Sequence, residues 1–225
     1  MHVPDGFLNA QTSIATAVVA AAGVGVALKK ARRELGERTA PLAGLVATFV
    51  FAAQMLNFPV AAGTSGHLLG GALAAVLVGP WTATLCLTVV LTVQALVFAD
   101  GGITALGTNI TLMALVGVWV GWGVFCLIRR VAPKTRKGIT VSAAGGAFAS
   151  VPAAAVVFAG LFAVGGAVPI SPPVLFGAMA TVHVLIGIGE ALITALVVGA
   201  VIKVRPDLVY GAARLPAPAP EEVSA

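Results

Sequence analysis

The stretch 67-HLLGGALAAVLVGPWTATLCLTVVLTVQALVFAD-100 decides how often this chain crosses a membrane. It is almost continuously apolar, but Gly79-Pro80 interrupts it. Residues 67–79 would reach only about 20 Å as a helix, which is short of the roughly 30 Å of a hydrocarbon core. Glycine and proline in sequence favour a tight turn. The stretch therefore forms either one long broken span or two spans separated at Gly79-Pro80.

The composition indicates an integral membrane protein. Hydrophobic residues make up 59% of the 225 residues and charged residues only 9%, whereas a soluble domain carries about 25% charged residues. All 13 Lys and Arg fall in three clusters, at 29–38, 129–137 and 203–214. Basic clusters beside apolar segments are typical of cytoplasmic loops. The net charge of +5 is thus interpreted as a topology signal, and no nucleic-acid partner is expected.

The charge distribution favours seven spans. Five further apolar segments cover roughly Ser13–Leu28, Leu42–Ala61, Asn109–Ile128, Thr140–Val164 and Pro173–Ile202. Two spans within 67–100 place all three basic clusters on one side of the membrane, and a single span would separate them. The prediction is an all-α integral membrane bundle of about seven transmembrane helices in the cell membrane. Its N-terminus lies outside, with the loops at 57–66, 99–108 and 165–172, and its C-terminus is cytoplasmic.

One domain accounts for most of the chain. Residues 1–205 are expected to form a single transmembrane domain, because no soluble domain or nucleotide-binding P-loop interrupts them. The Pro- and Ala-rich residues 206–225 are expected to form a disordered cytoplasmic tail.

The chain begins MHVPDGFL, without a basic leader, so this end is expected to be retained. The predicted topology places Met1, His2 and His67 on the same outer face. The α-amine, the residue-two amide nitrogen and the His2 imidazole form fused five- and six-membered chelate rings, and His67 could supply a fourth nitrogen. Four such nitrogens suit Ni(II) or Cu(II), and Co(II) also accepts nitrogen ligands. The alternatives left open are that His2 lies on a frayed terminus and that His67 only begins a helix.

Other polar residues lie in or beside the spans. Ionisable residues within a membrane are costly and are often functional. His183 and Glu190 lie on nearly the same face of the last helix, where hydrogen bonding within the bundle is favoured over direct ligation. Ordinary capping and loop roles remain the alternative for the polar residues at outer helix ends. These are Asp5, Asn57, Gln94, Asp100 and Asn109.

Four separate stretches carry a family resemblance. MHVPDGFL, TSGHLLGGALAAVLVGPW, VQALVFADGGITALGTNI and HVLIGIGEALIT resemble the CbiM/NikM family, the metal-binding membrane subunits of cobalt and nickel energy-coupling factor (ECF) transporters. The likeness runs from Met1 to about Ile202. It implies seven helices, with the N-terminal segment folded into the bundle. It also implies metal ligation by the Met1 amine, the His2 amide and imidazole, and His67.

The expected function is capture of Ni(II) or Co(II) from outside, as the transported ligand and not as a catalytic cofactor. The resemblance implies an ECF transmembrane coupling subunit, cytoplasmic ATPase subunits and a small accessory membrane protein as partners, with a link to cobalamin biosynthesis. This chain itself is not expected to be an enzyme. Three alternatives were considered: an ECF subunit for an organic vitamin, a membrane-embedded enzyme using His183 and Glu190, and a self-sufficient permease. The nitrogen donors do not distinguish nickel from cobalt.

Overall fold

The computed structural model describes residues 1–37, 39–60 and 64–212. Seven helices run through these residues: α1 (Ala10–Lys30), α2 (Thr39–Gln54), α3 (Gly71–Val78), α4 (Pro80–Val97), α5 (Leu106–Val131), α6 (Arg136–Gly165) and α7 (Pro172–Val204). Within the same residues, five of them, α1 and α4 to α7, are long and apolar enough to cross a membrane. The prediction of an all-α, multi-pass membrane bundle is confirmed.

The break at Gly79-Pro80 is also present. Gly79 has φ +92° and ψ 151°, a conformation open almost only to glycine, and Pro80 occupies the first position of α4. α3 begins at Gly71 and not at His67, because residues 67–70 are not helical and Gly70 has φ +73°. Its eight residues cover only about 12 Å. All of them are buried, so α3 lies inside the bundle, enclosed by the longer helices.

A buried carboxylate holds the start of α4. A 3-10 turn, Ala31–Arg33, follows α1 and leads into Glu34, whose side chain is buried. The Glu34 carboxylate accepts the backbone N–H groups of Trp81, at 3.3 Å, and Thr82, at 2.7 Å. The first N–H groups of a helix have no partner within it, and a negative charge there is favourable. Glu34 thereby ties the end of α1 to the turn between α3 and α4.

The loop after α2 contains a small hairpin. α2 ends at Gln54, earlier than the predicted Ala61, because residues 58–60 pair as a strand. This strand, β1 (Phe58–Val60), is antiparallel to β2 (Thr64–Gly66), with Phe58 opposite Gly66. β2 leads directly into the non-helical residues that carry His67.

The N-terminal segment, residues 1–9, enters the bundle at residues 1–3 and 7–8, which are buried. Met1 and Val3 are 2% and 1% exposed. Main-chain hydrogen bonds join Asn9 N–H to the Gly165 carbonyl at 2.7 Å and Ala167 N–H to the Phe7 carbonyl at 3.0 Å. These bonds attach the segment to the connection between α6 and α7. The predicted insertion of this segment into the bundle is confirmed.

The chain remains packed beyond residue 205. Two 3-10 turns, Pro206–Leu208 and Tyr210–Ala212, follow α7, and Val209 is buried. The Tyr210 ring lies 5.6 Å from the Trp122 ring. Residues 206–212 of the predicted tail are therefore packed on the bundle, and the rest of that predicted tail lies outside the described residues.

Gly79→Ala is expected to destabilise the fold. The new Cβ would lie 2.5 Å from the Glu34 carboxyl carbon, at a φ of +92° that alanine rarely adopts. Backbone strain of this kind costs about 1–3 kcal/mol. The measurement is thermal unfolding of the detergent-solubilised protein. Gly25→Ala, in α1 with open space around the added methyl group, is the control, and an equal melting temperature for both variants would contradict the expectation.

Candidate functional site

The fold brings His2 and His67 into direct contact. Their imidazole rings stack with centroids 4.3 Å apart and an interplanar angle of 26°. His2 is 7% exposed and His67 is fully buried. His2 arrives on the inserted N-terminal segment, and His67 arrives on the segment between β2 and α3. Residues 65 positions apart in the chain therefore share one enclosed site, together with the buried Met1.

The His2 imidazole is held from two sides. Its Nε2 lies 3.1 Å from Gln94 Oε1. An amide oxygen only accepts, so with the Gln94 amide in this orientation Nε2 carries the proton and Nδ1 carries the lone pair. Nδ1 lies 3.2 Å from Asp100 Oδ1. This contact is not aligned as a hydrogen bond, and Nδ1 has no other partner among the described residues.

The His67 imidazole has a single possible tautomer. Its Nδ1 lies 2.7 Å from the Leu68 carbonyl oxygen, and a carbonyl only accepts, so Nδ1 must donate. The lone pair is then on Nε2, which is buried and has no hydrogen-bond partner within the described residues. Leaving a buried polar atom unpaired is costly. The site therefore presents two buried, unpaired nitrogen atoms, one from each imidazole.

The surroundings of the site favour a neutral Met1 amine and an ionised Asp100 carboxylate. Burial lowers the pKa of the Met1 α-amine well below its usual range, and Asp100 opposes this in part. The pKa of Asp100 is lowered, mainly by its contact with His2 and also by Asn57. The result is one negative charge beside an amine and two imidazoles. Such a site is suited to a cation.

Two further predicted residues hold the N-terminal segment in place. Asn109, 1% exposed, accepts from Val3 N–H at 2.8 Å and donates to the Val3 carbonyl at 3.1 Å. Asp5 is at the surface, where hydrogen bonds from Thr104 lower its pKa. These contacts fix the main chain on both sides of Pro4. Asn57 is exposed, at the rim near Asp100.

His183 and Glu190 lie on the inner side of the site, both on α7. The Met1 amine interacts electrostatically with His183 as well as with His67. His183 Nδ1 donates to the Met179 carbonyl at 2.8 Å. Glu190 accepts the backbone N–H groups of Leu69 and Gly70. Each therefore has a main-chain partner, and Glu190 contacts the segment that carries His67.

The described residues contain no conventional side-chain metal cluster. Within residues 1–37, 39–60 and 64–212, no group of three or more His, Cys, Asp and Glu side chains is arranged to hold a metal ion. A metal at this site would require main-chain nitrogen in addition to the two imidazoles. The free amine and the amide of residue two are the nitrogens closest to His2 along the chain.

One contributing residue was missed in the sequence. Gln54, at the end of α2, is fully buried and donates to the Leu69 carbonyl at 2.7 Å. Gln54 is the last residue of its helix, and a position at a predicted outer helix end is the feature that singled out Gln94. That feature was available from the sequence, although its partner was not.

Comparisons with known proteins agree on metal transport. The family model for CbiM, described as the cobalt uptake substrate-specific transmembrane region, matches residues 2–208. A protein of Haloquadratum walsbyi named for metal transport is 42% identical over 212 residues, covering 93% of this chain and 94% of the relative. The fused nickel transport protein NikMN of Rhodobacter capsulatus is 36% identical, and the match covers 92% of this chain and 63% of that protein.

A solved structure has the same fold. The crystal structure of a truncated transition metal transporter superimposes with a TM-score of 0.85 at 32% sequence identity. The match covers 90% of this chain and 99% of that one. The structural match therefore extends over most of this chain and nearly all of the transporter chain.

Asn109→Ala is expected to loosen the N-terminal segment. The substitution removes both side-chain hydrogen bonds to Val3, and unpaired buried groups cost about 1–3 kcal/mol each. Hydrogen exchange at residues 2–8 should become faster. Thr92→Ala, which removes one hydrogen bond within α4, is the control. Equal exchange rates at residues 2–8 in Asn109→Ala and the wild type would contradict the assigned role.

Proposed function

This chain belongs to the CbiM family of cobalt uptake transmembrane regions, and from that premise we propose that it captures Ni(II) or Co(II) outside the cell for an ATP-driven importer. It is a multi-pass membrane component of cobalt or nickel transport. The metal is its cargo and not a catalytic cofactor. The donor atoms, the side of the membrane on which the metal is captured and the energy source for transport are the proposed parts of this function.

The observation that carries the proposal is the pair of unpaired nitrogens in one buried site. Nδ1 of His2 and Nε2 of His67 both lack hydrogen-bond partners among the described residues. Metal-binding imidazoles characteristically donate their other N–H to a carbonyl or carboxylate. Here Nε2 of His2 contacts Gln94, and Nδ1 of His67 donates to Leu68. In the proposed site the Met1 amine, the His2 amide nitrogen, His2 Nδ1 and His67 Nε2 are the four donors.

Chelate geometry favours these atoms. A metal bound to the amine and the deprotonated amide closes a five-membered ring, and Nδ1 of the same residue closes a six-membered ring. Nε2 of His2 could not close that ring, and it is the nitrogen occupied by Gln94. His67, on a separate segment, then supplies the fourth nitrogen.

The charges balance in the proposed complex. A divalent cation that displaces the His2 amide proton leaves one net positive charge. Asp100, beside His2 Nδ1, carries one negative charge. Charges are tolerated in a buried site when they are paired, so the enclosed site suits a metal held by one deprotonated amide.

Transport requires partners, because no ATP-binding motif is present in the sequence. We propose an ECF membrane coupling subunit, cytoplasmic ATPase subunits and a small accessory membrane protein. The N-terminus faces outside, because the basic clusters favour the cytoplasmic side. An acid–base enzyme is disfavoured, because both carboxylate oxygens of Glu190 already accept backbone N–H groups.

Blocking the N-terminus is expected to abolish stoichiometric Ni(II) and Co(II) binding. An N-terminal tag removes the α-amine at Met1 as a donor, and His2→Ala removes an imidazole donor. His67→Ala leaves three donors. Loss of a residue that only orients a metal ligand weakens metal binding by roughly 10–100-fold, and loss of the ligand His67 itself should weaken it by at least as much. Calorimetry on the purified protein with its native N-terminus measures all three. A C-terminally tagged protein is the control.

Equal binding by the N-terminally tagged and native forms would exclude the amine as a ligand. The site would then have to be sought around His183, which lies near the same cluster.

Metal affinity is expected to fall as the pH is lowered. The donors must be deprotonated, so binding releases protons, including the His2 amide proton. Acidification favours the protonated, metal-free form, and affinity should drop about tenfold per pH unit for each proton released. Titrations between pH 8 and about pH 6 measure this slope. An affinity independent of pH would contradict ligation by the amide.

A further inference from the structure

Glu190 is a buried carboxylate that binds two consecutive backbone N–H groups. It is 2% exposed, on a helix that crosses the membrane. Its Oε2 lies 2.6 Å from Leu69 N, and its Oε1 lies 2.6 Å from Gly70 N. In the described part of the chain, no Lys, Arg or His forms an ion pair with it. A buried charge needs strong compensation, and these two short bonds at the start of α3 supply it.

The Leu69 N–H belongs to the same peptide group as the Leu68 carbonyl. That carbonyl accepts the Nδ1–H of His67 at 2.7 Å. A continuous chain of hydrogen bonds therefore runs from the Glu190 carboxylate, through the Leu68–Leu69 peptide, to the imidazole of His67. The imidazole nitrogen at the far end, Nε2, is the unpaired one.

The segment that carries His67 has a second side-chain contact, at the next carbonyl along the chain. Gln54 donates to the Leu69 carbonyl at 2.7 Å, so Leu69 is bound through both its N–H and its C=O. This segment lies outside any helix or strand, and its orientation depends on such contacts. Of the two side chains, only Glu190 contacts the peptide group that accepts from His67.

We propose that Glu190 is a positioning residue for His67, acting through the Leu68–Leu69 peptide group. This rests on the proposed function, in which His67 Nε2 binds the metal. The carboxylate fixes the plane of the peptide and hence the direction of the His67 ring. It also polarises the peptide, because hydrogen bonds in a chain strengthen one another. A stronger bond at Nδ1–H makes Nε2 a better donor, as a carboxylate does when it contacts a metal-binding histidine directly.

Glu34 provides a matched control. It is also a buried glutamate that accepts two consecutive backbone N–H groups at a helix start, those of Trp81 and Thr82. Its peptide contacts involve no imidazole. A role limited to capping a helix predicts similar consequences for the two glutamates, and a role at the metal site predicts a difference.

The test compares Glu190→Gln with Glu34→Gln in the full chain with a native N-terminus. Glutamine keeps the shape but loses the charge and turns an N–H₂ towards one of the two N–H donors. Glu190→Gln should weaken Ni(II) binding by about 10–100-fold and shift the visible absorption of the bound Ni(II) towards that of His67→Ala. Glu34→Gln should lower thermal stability while leaving the affinity and the spectrum unchanged. Equal effects on Ni(II) affinity would overturn the proposal.

A double-mutant cycle tests whether Glu190 acts through His67. The Met1–His2 chelate keeps binding measurable in His67→Ala. Adding Glu190→Gln to that variant should cause no further loss of Ni(II) affinity, since the residue it positions is already gone. Additive losses would overturn the proposal and assign Glu190 an effect independent of His67.

Two further results separate the possible failures. If Glu190→Gln does not fold, Glu190→Asp, which keeps the charge with a shorter reach, takes its place in the same cycle under the same criteria. If the wild-type protein itself binds no Ni(II) or Co(II), the proposed function fails. If the wild type binds and His67→Ala weakens binding, but Glu190→Gln does not, only the role of Glu190 fails.

Discussion

The structure depends on satisfying backbone groups in a bundle that excludes water. The short helix α3 and the turn at Gly79 leave N–H groups without partners at two helix starts in the protein interior. In lipid such groups must be satisfied by the protein itself. Glu190 binds the N–H groups of Leu69 and Gly70, just before α3, and Glu34 binds two N–H groups in the first turn of α4. Two buried carboxylates thus satisfy the backbone on both sides of α3, and residues 67–70, which carry His67, lie outside any helix.

The same requirement shapes the inserted N-terminal segment. An extended chain inside a bundle needs partners for its N–H and C=O groups, and several of them bind to Asn109, Gly102 and the connection after α6. These bonds bring Met1 and His2 to a fixed depth beside His67. Nδ1 of His2 and Nε2 of His67 remain without hydrogen-bond partners among the described residues, and the proposed metal site would use both.

Much of the fold could be predicted from the sequence, because it follows from properties of single residues. The apolar runs, the Gly79-Pro80 break and the basic clusters are visible in one dimension. Two of the predicted bounds that differed from the structure lie beside the site. α2 ends at Gln54 because of the β1–β2 hairpin, and α3 begins after Gly70 because Glu190 holds the preceding backbone. Both changes result from contacts with residues distant in the sequence.

The sequence by itself determined the membrane fold and pointed to His2 and His67 as candidate ligands, since hydropathy, charge and the chemistry of a second-position histidine are local. Only the tertiary structure decided which nitrogen of each imidazole is free. That choice depends on Gln94 for His2 and on the Leu68 carbonyl for His67. The tertiary structure likewise decided that Glu190, 123 positions beyond His67, hydrogen-bonds to the same peptide group as His67. A hydrogen bond depends on distance and direction in space, and spacing along the chain contains neither.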